Sequence, residues 1–190
     1  MIEAGTTLTN PVTKERMTFL KTAAQTSGEY VLIELDAAPG AVVAAAHIHP
    51  SQTETFEVIS GKLAAKLGRK TVEARPGDVV VAQPGVAHKW WNAGEDSLVF
   101  RCEVRPALQF ESLIETMFGL AADGKTNRKG MPNPLRLAVI ANHHFGDVQL
   151  PVVPRWAQKA ALALGAPMGR LAGYTPQYVP AGVPLSAPAS

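Results

Sequence analysis

The segment Ala46–Gly61, AHIHPSQTETFEVISG, decides how the chain is read. It sets His47 and His49 one residue apart and brings Glu54 shortly after, inside an otherwise apolar run. Strand side chains alternate faces, so His47 and His49 share a side while Ala46 and Ile48 take the other. The loop PSQT is able to turn the chain back and return the Glu54 carboxylate from an adjacent strand. Two imidazoles and a carboxylate on one side suit a metal ion. The competing reading is a solvated strand edge with incidental histidines.

A second turn–strand unit, PGVAHKWWN (Pro84–Asn92), offers His88 as a further ligand. Three imidazoles and one carboxylate suit one divalent transition metal such as Fe, Mn, Ni, Cu or Zn. Trp90 lies two residues beyond His88 and shares its face, and Phe56 shares the face of Glu54. Both are candidates for a substrate pocket, with plain core packing as the alternative. The small residues Ala44, Ala45 and Ala46 leave space nearby.

Around these segments the first hundred residues read as short strands. Arg16–Thr22, Glu29–Ala37, Ala41–His49, Thr55–Ser60 and Lys62–Gly68 come first, the last two flanking Gly61 as in a tight hairpin. KTVEA, VVVAQ, the strand after Pro84 and Ser97–Val104 complete the series. Strands punctuated by frequent turns predict a mainly β sandwich or barrel. Beyond Pro106 the apolar spacing becomes helical: ALQFESLIETMFGLAADG stops at Gly124, and LRLAVIANHH follows a loop. VPRWAQKAALALGA starts near Pro154 and ends at Gly165, with MGRLAGY as one more turn.

These residues resemble the cupin superfamily. Its first motif, Gly, His-x-His, Glu, Gly, is matched by Gly40, His47, His49, Glu54 and Gly61. Its second is matched by Gly77, Gly85, His88 and Asn92, with Gln83 where a proline is usual and Pro84 just after it. That proline shapes a turn and is not a ligand. The resemblance spans roughly residues 29–104 and implies a double-stranded β-helix, a jelly-roll barrel with a metal in its mouth held by His47, His49, Glu54 and His88. With the helical spacing beyond Pro106, the chain is expected to divide into a barrel over 1–106, a helical extension over 107–175 packing on the barrel or on a partner subunit, and a flexible Pro/Ala-rich tail over 176–190.

Composition excludes little but points the same way. Of 190 residues 46% are hydrophobic and 18% charged, as in a globular protein, and the net charge is only +2. Residues 1–106 hold 11 basic against 12 acidic groups and residues 107–190 hold 7 against 4. The short run Lys125, Arg128, Lys129 has no interleaved aromatics, so no nucleic-acid partner is expected. The lone Cys102, the absence of an apolar leader and the absence of a membrane-length apolar run predict a soluble cytoplasmic protein. Arg101 and Glu103 read as surface groups. His143 and His144 are adjacent and do not form a second metal site from one helix. Either is a candidate proton-transfer group over the barrel mouth.

The expected function is a metal-dependent enzyme on a small organic molecule, dioxygenase-like or an isomerase or lyase, with Glu54 moving protons. A non-catalytic small-molecule-binding or sensing module is the alternative. The extension is expected to act as a lid or as a homodimer interface, ahead of a membrane-surface contact.

Overall fold

The computed structural model describes residues 2–180; Met1 and residues 181–190, which hold most of the expected tail, lie outside the described residues. Nine strands precede three helices. The strands are β1 (Thr7–Asn10), β2 (Glu15–Lys21), β3 (Val31–Ala37), β4 (Thr53–Ser60), β5 (Leu63–Leu67), β6 (Lys70–Ala74), β7 (Val79–Ala82), β8 (His88–Asn92) and β9 (Leu98–Arg105). They form a six-stranded sheet, β1-β2-β3-β9-β4-β7, and a three-stranded sheet, β6-β5-β8. Every pairing is antiparallel.

Strict alternation builds the core. Val31, Ile33, Leu35 and Ala37 of β3 are buried, as are Leu98, Phe100, Cys102 and Val104 of β9. The register sets Ile33 opposite Cys102 and Leu35 opposite Phe100. Each large side chain removed from water here contributes roughly 1.5–3 kcal/mol. The outer face carries charge: Arg101 Nε lies 3.2 Å from Glu34 Oε2 on the surface, and Arg105 joins Glu103 at 3.0 Å. Pairs this exposed add little stability.

Three local expectations change. Gly61 does not close a hairpin. β4 belongs to the large sheet and β5 to the small one, so Gly61 is the corner where the chain changes sheets. Its φ is 81°, and a Cβ there would sit 2.6 Å from the Ser97 carbonyl oxygen. The tight hairpin is instead β5–β6, where Leu67 pairs with Lys70. Residues 41–49 form no continuous strand but touch their neighbours by isolated bridges, Val42 to Trp91 and His47 to His88. Gly165 does not end the last helix, which continues through Pro167 to Leu171.

The helices are α1 (Phe110–Ala122), α2 (Pro134–His143) and α3 (Arg155–Leu171). Gly124 follows α1 at φ 66°. Asn133 caps α2 by accepting from the Arg136 N–H at 3.0 Å, with Pro134 in the first position. Gly169 lets α3 approach α2, since a Cβ there would meet the Leu135 carbonyl oxygen at 2.5 Å. Backbone bonds tie this layer to the strands. The buried Gln52 amide donates to the Pro106 and Ala107 carbonyls at 2.9 and 3.1 Å, and Glu111 accepts from the Ala23 N–H at 2.7 Å. Ile48 and Gln149 exchange two backbone hydrogen bonds, both 2.9 Å.

Candidate metal centre

His47, His49, Glu54 and His88 converge, each offering one ligand atom, all within 4.8 Å of one another. Three elements deliver them. Glu54 stands near the start of β4 and His88 at the start of β8. His47 and His49 lie in the irregular segment between β3 and β4, held by the paired bonds of His47 and His88 N–H groups to each other's carbonyls, at 3.0 and 2.9 Å. His49, Glu54 and His88 are buried and His47 is half-buried.

The three imidazoles are oriented alike. Nδ1 of His47 lies 2.9 Å from the Ala45 carbonyl, that of His88 2.9 Å from the Val86 carbonyl, and that of His49 2.6 Å from the Asp147 carbonyl. A carbonyl only accepts, so each Nδ1 carries the proton and each Nε2 is left to face inward. This is how metal-binding histidines are commonly fixed in tautomer and direction. Glu54 answers them: Oε2 is 2.8 Å from His88 Nε2, and Oε1 is 3.4 Å from His49 Nε2. His49 Nε2 is buried without a hydrogen-bond partner. A cation between the imidazole nitrogens and the carboxylate satisfies this arrangement, and the four residues fit a metal ion.

The electrostatics agree. Burial alone would raise the Glu54 carboxyl, but the His49 and His88 imidazoles beside it outweigh burial and hold it well below the usual carboxylate range. Burial lowers His47 to about 4, so its imidazole is neutral and ready to ligate near neutral pH. His49 goes the other way: burial pushes it down, yet the adjacent Glu54 carboxylate carries it above its ordinary value.

The centre borders a cavity of about 510 Å³ lined by residues of the strands and of the three helices. Phe56 and Trp90 both line it, and Trp90 packs edge-on to Phe100 at 4.9 Å. Trp91 is half-buried with Lys89 over its ring at 5.6 Å. Asn92, matched to the second motif, holds the turns around it together. Its side chain donates to the Ala37, Ala38 and Asp96 carbonyls and accepts from the Gly94 N–H. Cys102 is a buried thiol on the cavity wall, and burial raises it well above the ordinary range.

One cavity residue and one partner of the centre are not apparent from the sequence. Glu15 is buried on the cavity wall, in phase with Met17 and Phe19, because β2 begins at Glu15 and not at Arg16 as its alternation predicts. Asp147, through its carbonyl, reaches His49 across almost a hundred residues of sequence. No local pattern marks such a contact. His144 also borders the cavity, while His143 is exposed and does not.

Comparisons with known proteins match the barrel. A family model described as a cupin domain matches residues 33–103. No curated protein matches the chain. Among solved structures, a conserved double-stranded β-helix protein from Klebsiella pneumoniae is 24% identical, with 57% of this chain and 84% of that chain covered and a TM-score of 0.43. A predicted oxalate decarboxylase from Thermotoga maritima is 22% identical, covering 48% of this chain and 80% of that one, TM-score 0.46. A cupin-superfamily sugar phosphate isomerase from Silicibacter pomeroyi is 19% identical, covering 48% and 59%, TM-score 0.43. Likenesses of this size leave the chemistry to the residues themselves. No helix among the described residues is long and apolar enough to cross a membrane. The cupin-domain model matched over residues 33–103 takes in both motifs, from Gly40 to Asn92, and with them His47, His49, Glu54 and His88.

Proposed function

We propose that this protein is a metal-dependent enzyme acting on a small organic molecule held in the roofed cavity, by dioxygenase-like or isomerase/lyase chemistry. The observation that carries the reading is the convergence of four ligand atoms, three of whose residues, His47, His49 and Glu54, line a cavity of about 510 Å³. A purely structural metal needs no such space. A divalent Fe, Mn, Ni, Cu or Zn ion held by His47, His49, Glu54 and His88 would supply Lewis-acid or O2 chemistry to a substrate oxygen. Four protein donors leave positions free on an ion that takes five or six. Glu54 is the ligand able to shuttle a proton, being ionised and flanked by two imidazoles, His88 at 2.8 Å and His49 at 3.4 Å. Phe56 and Trp90 are proposed to contact the substrate. We further propose a cytoplasmic homodimer; the lone, buried Cys102 fits a reducing compartment.

The test is metal analysis of protein produced with Fe, Mn, Ni and Zn supplied, followed by substrate trials with and without O2. One bound ion per chain, lost in His88→Ala, is expected. Absence of bound metal from every preparation refutes the reading. Metal loss without loss of ligand binding would point instead to a non-catalytic binding module.

A further inference from the structure

The roof contributes a buried polar group that the metal centre does not use. His144, at the C-terminal cap of α2, is fully buried. Its Nδ1 lies 3.3 Å from Asp147 Oδ2, and its Nε2 is buried with no hydrogen-bond partner. The ring borders the same cavity as His49 and Glu54. An imidazole with an unmatched ring nitrogen at such a place is costly unless something completes it.

The rest of the wall is apolar for the most part, with Met17, Ile33, Leu35, Phe100 and Phe118 among its residues. A polyol or a small dianion would leave many of its own polar groups unmatched there. A largely apolar molecule would not, provided that its few polar atoms meet the centre or His144.

We infer that the cavity receives a predominantly apolar, ring-sized molecule bearing a hydroxyl group, and that His144, held by Asp147, accepts the hydrogen bond of that hydroxyl through Nε2. The inference rests on the proposed function's reading of this cavity as the substrate site. Polarity follows from the partners. The Asp147 carboxylate accepts from Nδ1–H, which leaves the Nε2 lone pair for an incoming O–H donor. Burial lowers the His144 pKa and the Asp147 carboxylate only partly reverses this, in keeping with a neutral ring. Asp147 thus serves both sites: its carboxylate orients His144 and its carbonyl orients His49.

Equilibrium dialysis with 2-naphthol and naphthalene tests this on the full chain, with bound metal measured in the same samples. The wild-type protein should bind 2-naphthol at least about fivefold more tightly than naphthalene, the worth of one net hydrogen bond. His144→Leu should bring the two affinities within about twofold of each other while metal content stays unchanged. A merely structural role for His144 would weaken both ligands alike and preserve their ratio. His144→Gln, which retains a side-chain acceptor, should keep part of the preference and stands in if the leucine variant does not fold. Failure of both aromatics to bind, or an unchanged ratio in the variant that folds, overturns the proposal. Metal loss in the wild-type protein would count against the metal-dependent reading alone, since the naphthol preference is read separately.

Discussion

The Asp147 carbonyl oxygen lies 2.6 Å from His49 Nδ1, so the helical layer fixes the direction of an imidazole of the candidate metal centre. The contact is made by the backbone, and the Asp147 side chain is engaged elsewhere, with His144. Asp147→Ala should therefore leave metal affinity within about twofold, whereas Asp147→Pro should lower it. The proline removes the Asp147 N–H bond to the His144 carbonyl and displaces the carbonyl that holds His49. Loss of such an outer partner lowers metal affinity roughly 10–100-fold. Metal titration of both variants decides it; equal affinities would show that the carbonyl does not matter.

Metal uptake should fall as pH falls, in two stages. Ligand nitrogens must be unprotonated to bind, so protons compete with the ion. His49 is raised by Glu54, so its proton is the first competitor on acidification. Affinity should drop about tenfold per pH unit below the His49 pKa, the slope for one proton. Glu54 remains ionised because its own pKa is held well down. His47 joins only near pH 4, where the slope should steepen. Competition dialysis across pH 4–8 measures this, and a flat profile would exclude His49 as a ligand.

The barrel and the grouping of His47, His49, Glu54 and His88 were legible because strand chemistry and motif spacing are local. Strand-forming composition marked β3 and β9, and the second motif offered His88 as a further member of the site, which the structure pairs with His47. Gly61 misled because a turn of positive φ suits a hairpin and a sheet-changing corner equally; only the proximity of Ser97 separates the two. The segment 41–49 misled because apolar composition favours a strand without supplying a partner edge, and here only isolated bridges form. α3 runs past Gly165 because packing of Gly169 on Leu135 outweighs the weak helix propensity of Gly165 and the lost donor of Pro167. The link from Asp147 to His49 depends on how the helices settle on the barrel, which periodicity does not encode.

Glu15 makes stability depend on pH. Burial raises its carboxyl from 4.5 to about 7, with a small opposing effect of the Thr13 hydroxyl. The folded state therefore prefers the protonated form more than the unfolded chain does. Its contribution is fully present below pH 4.5 and is lost as pH rises through 7. The change is on the order of 3 kcal/mol from the size of the shift. Glu15→Gln should be close to neutral near pH 4.5 and should raise Tm relative to the wild type at pH 8. Thermal unfolding at the two pH values checks the sign; a variant less stable at pH 8 would show that the Glu15 carboxylate has a favourable partner when charged.

Gly61 and Gly85 separate two reasons for glycine. Both have positive φ, 81° and 77°. At Gly85 nothing lies within 4 Å of a Cβ, so Gly85→Ala meets only the backbone penalty of roughly 1–2 kcal/mol. At Gly61 the same penalty applies, and the new methyl would in addition press on the Ser97 carbonyl at 2.6 Å and on Leu98 Cα at 2.8 Å. Those atoms are backbone at the entry to β9, which pairs with both β3 and β4, so they cannot move without disturbing the middle of the large sheet. Gly61→Ala should thus destabilise by at least about 2 kcal/mol more than Gly85→Ala, of the size seen for overpacked cores. Urea unfolding of the two variants, compared at equal m-value, reads the difference directly. Equal losses would mean that the corner between β4 and β5 yields, and that Gly61 is required for its φ alone.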